Sequence, residues 1–203
     1  NGLTSILSER NKKQFKIAET EKYAHVTYFF NGGRKESFPG EKQVLIPSTR
    51  DVPTYDLKPE MSAFEITTTL IEELNNNKFD FYLVNFANAD MVGHTGNYSA
   101  AIKAIETLDS CLGQLKQTCF EQNITLMITA DHGNSDQMKY KNGAPNTSHS
   151  KAKVPFAVVH PKLEEINLEP SSADLALKDV APTICYVMGE DIPNSFTGKT
   201  IFN

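Results

Sequence analysis

The sequence predicts an α/β fold, a mostly parallel sheet with helices on both faces. Three observations carry that expectation. Short apolar runs of strand length alternate with longer segments whose apolar residues return at helical spacing. Connections of this kind belong to parallel strands covered by helices, where ligands bind beyond the carboxyl ends of the strands. Two of the apolar runs lead straight into polar residues of metal-ligand type. At 203 residues, 39% of them hydrophobic, the chain suits one compact domain, with no internal repeat or domain linker.

Taken in order, His25-Val-Thr-Tyr-Phe-Phe30 is rich in β-branched and aromatic residues and stops at Asn31-Gly32-Gly33, which predicts a first strand and a turn. From Arg34 to Pro59 the chain is polar and holds four prolines, so it reads as loop apart from a short Val44–Ile46 strand. Ser62 to Leu74 reads as a helix on the spacing of Phe64, Ile66, Leu70, Ile71 and Leu74, with Glu65 three after Ser62 in capping-box order. Asn75-Asn76-Asn77 ends it. Phe79 to Phe86 is a buried strand, and Ser99 to Cys119 an amphipathic helix with Ala101, Ile105, Leu108, Leu112, Leu115 and Cys119 on its apolar face. Ile124–Ala130 and Val154–His160 are further buried strands. Ala173–Met188 is a last helix, facing inward through Leu175, Leu177, Val180, Ile184 and Val187.

A formal net charge of −5 and the lack of a dense Lys/Arg stripe argue against a nucleic-acid footprint or an anionic membrane as the main partner. A negatively charged substrate would therefore need metal help. Cys111, Cys119 and Cys185 form no close pair, which fits reduced thiols and a cytoplasmic location. No apolar run is long enough to span a bilayer, and Asn1-Gly2-Leu3 does not open a signal peptide. Sequons at Asn97, Asn123 and Asn146 read as chance. The start without Met, running at once into ordered-looking sequence, is the expectation for a piece of a longer protein.

The chemistry concentrates at two strand ends. Phe81-Tyr-Leu-Val-Asn-Phe86 runs into Asp90 and His94, four apart, which a tight turn or a first helical turn aims at one point. Ile124–Ala130 runs into Asp131 and His132, which Gly133 lets converge although adjacent strand residues face opposite ways. Thr147-Ser148-His149-Ser150 brings a third histidine back from a loop. Any one pair is a weak signal; three of only five histidines at core strand ends are a stronger one. His25 and His160, inside strand patterns, read as packed core or edge residues. Oxygen and imidazole donors without thiolate suit Mn²⁺, Zn²⁺ or Mg²⁺. Five ligands exceed one tetrahedral set and fall short of two, so at least one more is expected from elsewhere.

Glu19 to Gly33, Tyr55 to Ala63, Asp90-Met-Val-Gly-His-Thr-Gly96 and Thr129-Ala-Asp-His-Gly-Asn134 together closely resemble the cofactor-independent phosphoglycerate mutase family. The likeness runs through the chain to Phe196-Thr-Gly-Lys199. It implies an alkaline-phosphatase-like core in which a serine carries a phosphoryl group between two hydroxyls of a phosphoglycerate, flanked by two divalent ions. Manganese is foremost, with zinc, magnesium or cobalt as alternatives and no organic cofactor. By the resemblance Asp90, His94 and His149 hold one ion, Asp131 and His132 belong to the other, and the catalytic Lys22 reaches the transferring phosphate. For Lys22 the residues alone favour a solvated lysine at a strand entrance.

Ala89 stands where the family usually has proline, and nothing here matches the family's nucleophilic serine, its further aspartate ligand or its second, substrate-gripping domain. The expectation is that residues 1–203 are the carboxyl-terminal portion of the metal-binding domain, incomplete at its amino-terminal side and inactive alone. The expected partner is a small phosphoglycerate, with no nucleic acid and no membrane, and the intact enzyme is expected to be monomeric. The alternatives are another metal-dependent phosphomonoesterase or phosphomutase of the same superfamily, or a non-catalytic metal-binding module.

Overall fold

The computed structural model describes residues 2–162 and 175–202. Its centre is strand β1 (Gln14–Glu19), which lies between β2 (Glu41–Ile46) and β3 (Phe81–Asn85) and runs parallel to both. Ile17 sits opposite Val44 on one side and Val84 on the other. Every residue of β1 is buried. Because side chains alternate along a strand, Phe15 and Ile17 enter one apolar core with Ile66, Leu70 and Leu74 of α3 (Ala63–Asn76) and Leu115 and Cys119 of α5 (Tyr98–Glu121). Gln14 and Lys16 face the other way, where their side chains donate to Thr4 of α1 (Leu3–Glu9). On that face Leu3 and Leu7 pack with Phe30, Phe81 and the residues of α6 (Val180–Val187). The parallel sheet thus has helices on both faces, as its sequence pattern predicts.

A second, two-stranded sheet pairs β4 (Leu126–Thr129) with β5 (Phe156–Val159). This pair is antiparallel, with Thr129 opposite Phe156. The direction matters for the site, since it sets the amino end of β5 beside the carboxyl end of β4. Most residues of β3, β4 and β5 are half-buried rather than fully buried.

Four local expectations need correction. His25–Phe29 is not a strand but a turn of π-helix that continues α2 (Thr20–Ala24). Lys22, Val26, Thr27 and Asn31 are its buried residues, spaced by about one helical turn, and packing of that stripe overrides the β propensity of the segment. The first strand is instead Gln14–Glu19, whose polar residues disguise it. Ser62 precedes α3 but forms no capping box; its Oγ donates to the Pro47 carbonyl at 2.9 Å. The last helix is shorter than Ala173–Met188: residues 173 and 174 lie outside the described ones, Leu175 and Leu177 are exposed, and α6 begins at Val180 after a single 3-10 turn at Leu177–Asp179. That start leaves Pro182 in the first turn, where a missing N–H costs nothing.

Candidate metal centre

Helix α4 (Asn88–Gly93) follows β3 directly, and the His94 N–H donates to the Asp90 carbonyl at 3.0 Å, so the two side chains rise from one helical turn. His94 Nε2 lies 3.1 Å from Asp90 Oδ1. His149 Nε2 lies 3.3 Å from the same oxygen and 3.1 Å from His94 Nε2. Atoms bound at about 2.1 Å to a single ion stand roughly 3.0–3.4 Å from one another, so this near-equilateral triangle has the dimensions of one coordination face. His94 Nδ1 meets the Thr147 carbonyl at 2.6 Å, which makes Nδ1 the protonated nitrogen and leaves Nε2 free as a donor to metal.

Asp131 and His132 leave the carboxyl end of β4, with Asp131 Oδ1 3.7 Å from His132 Nε2. The His132 ring stacks on His149 with centroids 3.6 Å apart. One donor atom each from Asp90, His132 and His149 also fall within 4.8 Å of one another. His149 therefore stands between the two halves of the centre. What holds it there is a clasp: the Ser150 N–H donates to the Gly133 carbonyl at 2.8 Å, and Ser150 Oγ donates to Asp136 Oδ2 at 2.6 Å. A Cβ on Gly133 would overlap both Ser150 Oγ and Asp136, so the clasp requires glycine.

Lys22 is only 4% exposed, which removes the reading of a solvated lysine. Its Nζ lies 2.5 Å from Asp90 Oδ2, the carboxylate oxygen turned away from the imidazoles. Burial opposes the charge on Asp90, but Lys22 and the Asn134 amide outweigh it and hold the carboxyl below the usual carboxylate range. The start of α2 is itself pinned. Ser48 Oγ donates to Glu19 Oε2 at 2.9 Å, the Ser48 N–H to Thr20 Oγ1 at 3.0 Å, and the Tyr55 hydroxyl to Glu21 Oε1 at 2.6 Å. Burial pushes Glu19 above the carboxylate range, and burial together with Glu21 pushes Tyr55 up to about 12.

All six residues singled out in the sequence, Lys22, Asp90, His94, Asp131, His132 and His149, thus gather at one end of the sheets. His25, expected as a packed strand residue, is instead exposed on the π-turn. Although the ring keeps contact with water, its partial desolvation and Lys22 push the imidazole down, against the pull of Asp131 and Asp90. Asn134, Ser135 and Ser150 were missed as supports; the signal available was their position beside the ligands in Gly-containing turns.

An α/β sheet whose strand ends present carboxylates and imidazoles within coordination distance defines a metalloenzyme, and the chain belongs to the metalloenzyme superfamily, whose family model matches residues 1–191. Within it the chain is similar to 2,3-bisphosphoglycerate-independent phosphoglycerate mutases. It is 50% identical over 204 aligned residues to that of Francisella tularensis subsp. novicida, covering 100% of this chain and 39% of the relative. Against the enzyme of Myxococcus xanthus it is 52% identical over 185 residues, 91% of this chain and 35% of the relative. The crystal structure of Leishmania mexicana phosphoglycerate mutase at low cobalt concentration superposes with a TM-score of 0.89 at 32% identity, over 97% of this chain and 38% of that one. The chain spans about two-fifths of the length of these relatives.

Proposed function

We propose that this chain is the carboxyl-terminal portion of the metal-binding domain of a phosphoglycerate mutase. That enzyme would interconvert 2-phosphoglycerate and 3-phosphoglycerate through a phosphoserine whose serine lies outside residues 1–203. The observation that carries the reading is the buried Lys22 ammonium on the outer oxygen of Asp90, beside the triangle of Asp90, His94 and His149. A cation fixed there faces the oxygens of a phosphoryl group and offsets the negative charge that Asp90 and Asp131 would otherwise present to it.

Asp90, His94 and His149 would hold one divalent ion and Asp131 and His132 a second, Mn²⁺ foremost. Bound ions supply charge neutralisation and orientation to the transferring phosphoryl group. The residues themselves do the rest. Lys22 binds and orients the phosphoryl oxygens, the Ser150 clasp keeps His149 aimed, and the Thr147 carbonyl keeps the His94 tautomer.

Calorimetry with Mn²⁺ and a coupled mutase assay test the reading. The 203-residue chain is expected to bind one Mn²⁺ tightly and to show no mutase turnover, with His149→Ala weakening binding more than His132→Ala. The longer enzyme is expected to lose activity on chelation and regain it with Mn²⁺. Two equally tight sites, or turnover by the isolated chain, would overturn the assignment.

A further inference from the structure

We propose that Asn134 is a positioning residue that divides the Asp90 carboxylate between a metal ion on Oδ1 and Lys22 on Oδ2. The inference rests on the metal-centre reading above. Asn134 Nδ2 donates to Asp90 Oδ1 at 2.6 Å and to the Asp90 carbonyl at 3.2 Å, from a residue only 5% exposed. An ionised carboxylate has about four lone-pair directions, two on each oxygen, and its terminal torsion turns easily. With one direction of Oδ1 taken by the amide and Oδ2 held by Lys22 at 2.5 Å, the free direction of Oδ1 is the one shared with His94 and His149. Without the amide the carboxylate is free to turn and offer both oxygens to either cation.

The amide is held from behind. Its own Oδ1 is buried without a hydrogen-bond partner and packs against Gly93, where a Cβ would come within 2.5 Å of that oxygen and 2.9 Å of Asn134 Cγ. Turning the amide over would set its carbonyl against two Asp90 oxygens, so the donor face has one way to point. The neighbouring Ser135 Oγ donates to the Ala89 carbonyl at 2.5 Å, fastening the same loop to the same turn. Gly93 thus has a role beyond flexibility, since it is the surface on which the Asn134 amide rests.

The variants Asn134→Ala, Asn134→Asp and Gly93→Ala, with the Asn134→Ala/Gly93→Ala pair, separate this role from others. Affinity for Mn²⁺ by calorimetry is expected to fall about 10–100-fold in each single variant, the usual effect of losing a ligand's outer partner. Asn134→Asp is the discriminating case: it adds negative charge beside a cation yet replaces a donor with an acceptor, so positioning predicts weaker binding and simple charge attraction predicts tighter. The visible absorption of bound Co²⁺ is expected to change in Asn134→Ala, as the carboxylate goes from one-oxygen to two-oxygen binding. Circular dichroism and thermal melting identify variants that fold. Should Asn134→Asp fail to fold, the Gly93 pair decides, made in a Ser135→Ala background because the added Cβ would also come within 2.8 Å of Ser135 Oγ; there the double variant is expected to bind no worse than Asn134→Ala alone. Unchanged or tighter Mn²⁺ binding in folded Asn134→Asp, or additive losses in the double variant, would overturn the proposal while leaving the metal centre standing. A parent chain that binds no Mn²⁺ would overturn both.

Discussion

Lys16 shows what a single buried charge demands. Its ammonium has no exposure and meets Glu41 Oε1 at 2.9 Å, Thr4 Oγ1 at 2.8 Å and Asn31 Oδ1 at 2.5 Å, with the Phe30 ring 4.9 Å away. Burial pushes the lysine down; burial also works against Glu41, but donors from Gln43, Phe38, Lys16 and Asn31 hold its carboxyl below the usual range. Breaking such a pair from one side leaves an uncompensated charge. Lys16→Met is therefore expected to cost about 3–5 kcal/mol in urea unfolding, and Lys16→Met/Glu41→Gln distinctly less. A single variant as costly as the double, or a loss under about 1 kcal/mol, would contradict that. This network was illegible in the sequence because Gln14-Phe-Lys-Ile-Ala-Glu19 looks like a solvated segment until its partners, distant in the chain, are known. Asp90 and His94 were legible for the opposite reason: their relation is local, four residues on one turn after an apolar run.

Among the elements, α5 matches the extent its sequence pattern predicts but only part of the predicted face. Its buried seam runs through Ala100, Ala101, Ala104, Cys111, Leu115, Thr118 and Cys119, and Ile105 is 48% exposed. Small residues allow the helix to approach α4 closely at Ala100, Ala101 and Ala104, a contact that apolar size alone does not reveal. Leu115→Ala is expected to cost about 2–5 kcal/mol, whereas Ile105→Ala should stay within about 1 kcal/mol. Equal losses in thermal melts would put Ile105 back in a core. The 3-10 turn that leads into α6 is held by Asp179, whose Oδ2 accepts from the Ala176 N–H at 2.8 Å and Oδ1 from the Lys199 N–H at 2.9 Å. A Cβ on Gly198 would overlap the Lys178 carbonyl, which explains the glycine in that last recognised motif. Burial opposes the Asp179 charge, yet these donors hold the carboxyl below its usual range. A depressed carboxylate stabilises the fold above its unfolded pKa, about 3.9, and that contribution is lost as pH falls through the folded value. Asp179→Ala should then cost about 1–3 kcal/mol near neutral pH, with the gap to the parent closing in acid. A gap independent of pH would assign the effect to lost packing instead.

Across the whole molecule, stability should be graded from the centre of the parallel sheet outward. β1 is bonded on both edges and buried throughout, whereas β4 and β5 form a two-stranded pair of half-buried residues. Hydrogen exchange is accordingly expected to be slowest at the amides of β1 and faster by orders of magnitude in β4 and β5. Comparable protection in the two sheets would show that they open as one unit. The parallel order was readable from alternating strands and helices; the antiparallel β4–β5 pair was not, because the long loop between them resembles a crossover until His149 is seen beside His132. The central place of β1 has a consequence for the growing chain. A strand that ends up bonded on both sides is synthesised before either neighbour and leaves the ribosome with both edges bare. Lys16, alternating with Phe15 and Ile17, is then expected to act as a gatekeeper, a hydrated ammonium that discourages pairing with another nascent chain until Asn31 and Glu41 have been made and draw it inside.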